Sequence, residues 1–116
     1  MPETGRIAEF HEPMKPFVIR EVNVPDPEPG AVVIKITGSN ICGSDLHAWH
    51  GDFATKGMGG QLPTVLGHEM IGRVAKLGEG VSIDSDGVPL NEGDLVAYTY
   101  FHMCGRCPNC IRGKRM

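Results

Sequence analysis

Glycine and proline interrupt this sequence at short intervals, and that spacing restricts its fold more than any other feature. The 116 residues contain 16 glycines and 9 prolines, and both residue types end helices and mark turns. Many of the stretches between them are rich in β-branched residues, which favours strands. The clearest strand prediction is residues 31–37, with Ile34 and Ile36 on one face and Lys35 and Thr37 on the other. We therefore expect a mainly β fold with short helices.

Apolar alternation predicts further strands at residues 6–10, 17–24, 65–66, 70–77 and 94–100. One or two helical turns are expected within 41–49, and turns at 78–80 and 84–87 separate the later strands. Several short strands joined by such turns are typical of a small barrel or sandwich rather than of alternating βαβ units. The length fits one domain with its own core, which we place over residues 1–116.

Charge and hydropathy argue against several classes of protein. The formal net charge is -3 and the isoelectric point is near 5.9, whereas nucleic-acid-binding domains usually carry a basic face. The longest aliphatic run, residues 31–34, is far shorter than the roughly 20 apolar residues that cross a bilayer. The first residues lack the pattern of a secretory signal. We therefore expect a cytoplasmic protein that binds neither nucleic acid nor membranes and keeps its cysteines reduced.

Three cysteines, Cys104, Cys107 and Cys110, lie within seven residues that we call the cysteine lobe (104–110). Two-residue gaps allow a tight turn to direct successive thiolates at one zinc ion. A redox disulfide and an iron–sulfur cluster are the alternatives, although the next cysteine of a ferredoxin-type run is missing. A closed zinc site needs a fourth ligand. His102 is a poor candidate because it lies only two residues from Cys104, so we expect the fourth ligand beyond residue 116.

A second group of potential ligands consists of two glycine-containing motifs. The residues concerned are Cys42, Ser44, Asp45 and His47 in the first motif, and His68 and Glu69 in the second. Thiolate, imidazole and carboxylate all bind zinc, and convergence of the two motifs would form an open zinc site. Each residue also has an ordinary interpretation: Cys42 as an inert thiol, Ser44 as a helix N-cap, and the others as surface or hydrogen-bonded groups. Spacing alone leaves these alternatives open.

The ordered series of motifs resembles the zinc-dependent alcohol dehydrogenases of the medium-chain dehydrogenase/reductase superfamily, in their N-terminal GroES-like catalytic domain. The resemblance covers almost the whole chain. The segments that carry it are the proline-rich connector 25–30 and residues 42–47, 62–69, 72–74, 93–96 and 104–110. It implies a partly open β-barrel of the GroES type.

The resemblance also implies two zinc sites and a catalytic route. For a catalytic zinc, the implied ligands are Cys42 and His68, with Glu69 beside the ion as an occasional ligand and a further ligand well downstream of these residues. For a structural zinc, the implied ligands are Cys104, Cys107 and Cys110. The Asp45 carboxylate would fix the tautomer and orientation of the His68 ring. Ser44 would take the alcohol proton and His47 would pass it towards solvent, while a hydride moves to NAD or NADP. The substrate would be an alcohol, a polyol or the corresponding carbonyl compound, and the full-length enzyme would be a homo-oligomer.

Parts of such an enzyme are missing from these residues. The Rossmann domain that would bind NAD or NADP is absent, so the resemblance implies an N-terminal fragment that ends within the cysteine lobe and is inactive alone. Gly43 stands where some family members have a phosphate-binding basic residue, and no cofactor-binding residue is assigned. Trp49 and Phe53 follow the relay residues and would line either the core or the substrate cleft. Two other functions remain open: a stand-alone zinc-binding module and a non-enzymatic chaperonin-10-like barrel.

Overall fold

The computed structural model describes residues 3–52, 61–100 and 103–114, and within them the chain is mainly strand with two short helices. The elements are β1 (Thr4–Phe10), β2 (Val18–Asn23), β3 (Val32–Ser39), α1 (Gly43–His50), β4 (Thr64–Val65), β5 (Met70–Leu77), β6 (Leu95–Ala97) and α2 (Pro108–Ile111). The expected mainly β fold is confirmed. No helix in these described ranges has the length and hydrophobicity that a membrane span requires.

The strands form two antiparallel sheets of three strands each. Their orders are β2-β1-β4 and β3-β5-β6. Over the described residues the two sheets do not join into a closed barrel, in agreement with the partly open barrel expected from the sequence. The predicted helix within 41–49 is observed as α1, and the strand predicted at 94–100 is shorter, spanning only Leu95–Ala97.

Pairing between β3 and β5 brings together the two glycine-containing motifs, one of which follows β3 while the other precedes β5. The register runs from Val32 opposite Leu77 to Ser39 opposite Met70, with irregularities after Val33 and after Ile36. Between these irregularities the pairing of residues 34–36 is regular, so Ile34 and Ile36 lie on one face of β3 as predicted, although Ile36 remains 44% exposed. Beyond the paired strands, the Asn40 N–H donates to the Glu69 carbonyl oxygen at 3.0 Å. The end of β3 and the approach to β5 are thereby held side by side.

Gly72 explains how the two strands can approach so closely. A Cβ atom at this position would lie 2.4 Å from the Lys35 carbonyl oxygen and 2.6 Å from a methyl carbon of Ile34. Only a residue without a side chain fits against the β3 backbone there.

The hydrophobic core of the described residues is small. Phe10 and Val74 are the hydrophobic side chains buried there, at 4% and 2% exposure, and the Phe10 ring packs against Phe17 at 5.9 Å between centroids. Seventeen large hydrophobic residues are exposed in the same ranges. Much of the apolar surface of the described residues therefore faces solvent.

An ion pair joins the neighbouring strands β1 and β2 of the first sheet. The Glu9 side chain is 10% exposed and contacts Arg20 at 2.5 Å and His11 at 3.1 Å. We expect Arg20→Ala to lower the free energy of unfolding by about 2 kcal/mol, because the buried carboxylate loses a charge-assisted hydrogen bond. Urea denaturation monitored by circular dichroism measures this. The control is Lys35→Ala, which replaces an exposed residue on β3 and should change the free energy of unfolding by no more than about 0.5 kcal/mol. Equal losses in both variants would contradict the prediction.

Candidate functional site

The start of α1 fixes the first motif. Cys42 is the N-cap residue, with an extended backbone at φ -93° and ψ 159°. Its N–H donates to Asp45 Oδ2 at 2.9 Å, while the Asp45 N–H donates to the Cys42 carbonyl oxygen at 3.1 Å. This reciprocal pair satisfies donors that a helix start otherwise leaves without partners. The N-cap role considered for Ser44 is therefore wrong, since Ser44 lies inside the helix.

The second motif lies just before β5 and beside the first motif. Gly67 has φ 109°, a conformation that side chains disfavour, so glycine permits the turn just before His68. The hydrogen bond between Asn40 and Glu69 then fixes this turn beside the end of β3. Two segments that are distant in sequence are thus brought together by strand pairing.

The structure brings Cys42, His68 and Glu69 together. One ligand atom from each, the thiol sulfur, a ring nitrogen and a carboxylate oxygen, lies within 4.8 Å of the other two. Tetrahedral zinc with bonds of about 2.0–2.3 Å places its ligand atoms about 3.5 Å apart, so small side-chain adjustments would accommodate it. Three protein ligands of these types leave a fourth position for water or substrate. The donor set therefore fits an open zinc site.

Surrounding groups orient the His68 ring. Its Nδ1 lies 3.5 Å from Asp45 Oδ1 and its Nε2 lies 3.4 Å from Ser44 Oγ. The side chains of His68 and Asp45 are only 23% and 16% exposed. A carboxylate beside Nδ1 favours the proton on that nitrogen, which leaves the Nε2 lone pair for a metal. The edge-on ring of Tyr100, 4.9 Å from the imidazole between centroids, was not found from the sequence, because no motif links these two positions.

His47 lies in the last turn of α1, three residues after Ser44 and so near the same face of the helix. Its side chain is 62% exposed, and its Nδ1 is 2.7 Å from Asp52 Oδ2. Gly51 ends the helix in the left-handed conformation at φ 84°, and this reversal returns the chain towards the helix. Sequence reasoning missed Asp52, although a carboxylate directly after a helix-ending glycine could have indicated it.

The cysteine lobe also converges. The sulfur atoms of Cys104, Cys107 and Cys110 lie within 4.8 Å of one another, with Cys104 and Cys110 at 3.8 Å. Hydrogen bonds from the backbone N–H groups of Arg106 and Cys107 lower the pKa of the exposed Cys104 thiol to about 7. Cys107 is the N-cap of α2 and accepts from the Cys110 N–H. The lobe is thus arranged to present thiolates to one ion, while His102 lies outside the described residues.

Trp49 belongs to the wall of a cavity of about 280 Å³. The other wall residues are mainly apolar and include Ala8, Phe17, Leu46 and Leu66. The indole N–H donates to the Lys15 carbonyl oxygen at 3.0 Å, which ties the β1–β2 connection to α1. Trp49 therefore packs between elements. Phe53, the other aromatic residue considered for a substrate wall, lies outside the described residues.

Comparisons with known proteins point to one family. Residues 28–116 match the alcohol dehydrogenase GroES-like domain. An alcohol dehydrogenase from Rhizobium meliloti is 43% identical over 100 residues, which are 85% of this chain and 27% of that protein. The structure of an alcohol dehydrogenase from Thermotoga maritima matches 97% of this chain and 30% of its own, with a TM-score of 0.82 and 27% identity.

A further structure, acetophenone reductase from Geotrichum candidum in complex with NAD, matches 99% of this chain and 31% of its own, with a TM-score of 0.76 and 35% identity. The chain therefore spans about a third or less of each of these proteins.

Proposed function

Because the chain belongs to the family of alcohol dehydrogenase GroES-like domains, we propose that it is the catalytic-domain portion of a zinc-dependent dehydrogenase. This dehydrogenase oxidises an alcohol or polyol, or reduces the corresponding carbonyl compound, with NAD or NADP as the hydride partner. The relatives that carry the names alcohol dehydrogenase and acetophenone reductase support this class of reaction.

The observation that carries the proposal is the convergence of Cys42, His68 and Glu69 from two separate motifs. Zinc, when bound by these ligands, would act as a Lewis acid on the substrate oxygen. Asp45 would keep the His68 ring in one orientation. This pattern, an imidazole held by a carboxylate and grouped with a thiolate, is the arrangement expected of a catalytic zinc site in a protein.

The proton of the substrate would leave the site along α1. In the oxidation direction, the Ser44 hydroxyl would accept the proton of the alcohol while it passes its own proton on, and His47 would carry that proton to solvent. The hydride leaves the same carbon for NAD or NADP, so the products are a carbonyl compound, the reduced nucleotide and a solvent proton. Ser44 lies beside His68, and the exposed His47 occupies the next turn of the helix.

The remaining parts of the proposal concern the rest of the protein. The cysteine lobe would hold a structural zinc with a fourth ligand from outside these residues. Residues 1–116 would then form one GroES-like domain that is cut within the lobe, and a separate nucleotide-binding domain would supply the site for NAD or NADP. The full-length enzyme would be a cytoplasmic homo-oligomer.

Native mass spectrometry of the protein as the cell makes it, followed by an activity assay, tests this proposal. We expect a chain much heavier than 12.5 kDa with two zinc ions, and alcohol-dependent reduction of NAD or NADP that a chelator abolishes. A native chain of 12.5 kDa would contradict the enzyme assignment. It would favour a zinc-binding module if the metal is present and a chaperonin-10-like barrel if it is absent.

A further inference from the structure

Asp52 is the acidic partner of His47 and lies just beyond the end of α1. Its Oδ2 atom is 2.7 Å from His47 Nδ1, and the Asp52 side chain is 44% exposed. Gly51, in the left-handed conformation, places the chain so that Asp52 faces the last helical turn. The contact is short for an ion pair and spans only five residues. The local backbone therefore holds the carboxylate where it meets one ring nitrogen of His47.

A carboxylate on one imidazole nitrogen decides which nitrogen carries the proton in the neutral ring. The carboxylate accepts hydrogen bonds and donates none when ionised, so Asp52 requires a proton on Nδ1 of His47. The lone pair of the neutral ring then resides on Nε2. In this tautomer, Nε2 is the atom that can accept a proton arriving along the helix, and the carboxylate stabilises the charge that follows.

We propose that Asp52 is a positioning residue that holds His47 in the Nδ1-protonated tautomer, so that Nε2 receives the proton released from the alcohol. The proposal rests on the relay function proposed for His47. The proton goes from the substrate hydroxyl through Ser44 to His47 Nε2, and the ring then loses a proton to solvent water, which restores the starting tautomer. Asp52 only accepts the hydrogen bond from Nδ1 and contacts neither substrate nor nucleotide.

Three variants of the full-length zinc-loaded protein separate this role from a structural one. Asp52→Asn keeps the shape but its amide can donate to Nδ1, which favours the opposite tautomer. Asp52→Glu keeps the carboxylate and tests for rescue. Asp86→Asn removes an exposed acid in the turn 84–87, remote in sequence from α1, and serves as the matched control.

Nitrogen NMR of the protein labelled with ¹⁵N-histidine reads the tautomer without requiring activity. We expect the neutral His47 ring to be protonated on Nδ1 in the unmodified protein and in Asp86→Asn, and to shift towards protonation on Nε2 in Asp52→Asn. Steady-state kinetics should show kcat lowered at least about tenfold in Asp52→Asn with KM little changed. Asp52→Glu should recover part of the loss, and added imidazole buffer should raise kcat in Asp52→Asn alone.

Each outcome decides one question. An unchanged His47 tautomer in Asp52→Asn overturns the inference whether or not kcat falls, because a fall in kcat without a change of tautomer indicates a structural role. A changed tautomer with an undiminished kcat also overturns it. If the unmodified zinc-loaded protein reduces neither NAD nor NADP with any alcohol, the proposed function fails. The tautomer measurement then reports separately on whether Asp52 controls His47.

Discussion

Substitution of His68 by alanine in the full-length protein is expected to remove one of two zinc ions and to lower kcat/KM for alcohol oxidation at least about a thousandfold. His68 lies among Cys42, Glu69 and the carboxylate of Asp45, so its loss leaves too few ligands for a stable site. Lewis-acid polarisation by zinc contributes several kcal/mol to the reaction, and each 1.36 kcal/mol corresponds to a factor of about ten in rate. Metal analysis together with steady-state kinetics measures both effects.

Two further variants make this result interpretable. Asp45→Asn keeps all three ligands and is expected to weaken zinc binding by about 10- to 100-fold, the usual effect of altering a group that orients a ligating histidine. His50→Ala changes an exposed histidine at the end of α1 whose ring contacts Trp49, and it should keep both zinc ions and near-normal activity. Full zinc content and activity in His68→Ala would show that the cluster is not the catalytic site.

The second large effect concerns the 116 residues by themselves. We expect this chain to produce no NADH or NADPH from an alcohol above a zinc-free control. Hydride transfer requires the nicotinamide to be positioned against the substrate, and this positioning is what the protein contributes. The tripeptide Gly78-Glu79-Gly80 is a turn after β5 rather than a dinucleotide-binding loop. Turnover above the control by the purified 116-residue chain would refute this prediction.

Exposed apolar surface on the same chain calls for a control of folding. Ile41 is 80% exposed and Ile111 is 74% exposed, and large apolar patches promote aggregation. Loading the chain with Co²⁺ and recording the thiolate charge-transfer absorption shows whether the cysteine-containing sites still form. A cobalt-binding but inactive chain would assign the missing activity to absent parts of the protein rather than to unfolding. Activity that returns on addition of the remaining polypeptide would support the same conclusion.

Local patterns in the sequence are sufficient to predict those helices and strands whose formation depends mainly on residues close together in the chain. The β-branched residues of β3 and β5 and the short helix after Cys42 are of this kind. Pairing between strands follows different rules. β3 pairs with β5 with irregularities after Val33 and after Ile36, and the partner residues lie more than thirty positions away in the sequence. Single-strand alternation contains no information about that register.

In the candidate site, too, some features follow from local sequence and others from tertiary contacts. Ligand types and motif order indicate which residues converge, and the structure places Cys42, His68 and Glu69 together. Sequence patterns do not indicate the partners that contact these groups. Tyr100 reaches His68 across the fold, and Asp52 depends on one glycine conformation. Such contacts are set by tertiary geometry, which residue spacing does not specify.

Asp45 joins the beginning of a helix to a proposed metal ligand through a single carboxylate. Oδ2 accepts from the Cys42 backbone, and Oδ1 faces His68. Ordering either the start of α1 or the His68 ring therefore reduces the entropy lost in ordering the other. Part of the free energy of ion binding would then stabilise the start of the helix. Thermodynamic linkage of this kind works in both directions. If the proposed zinc binds here, any change that loosens α1 will weaken its retention even when the change touches no ligand, and loss of the ion will loosen the helix.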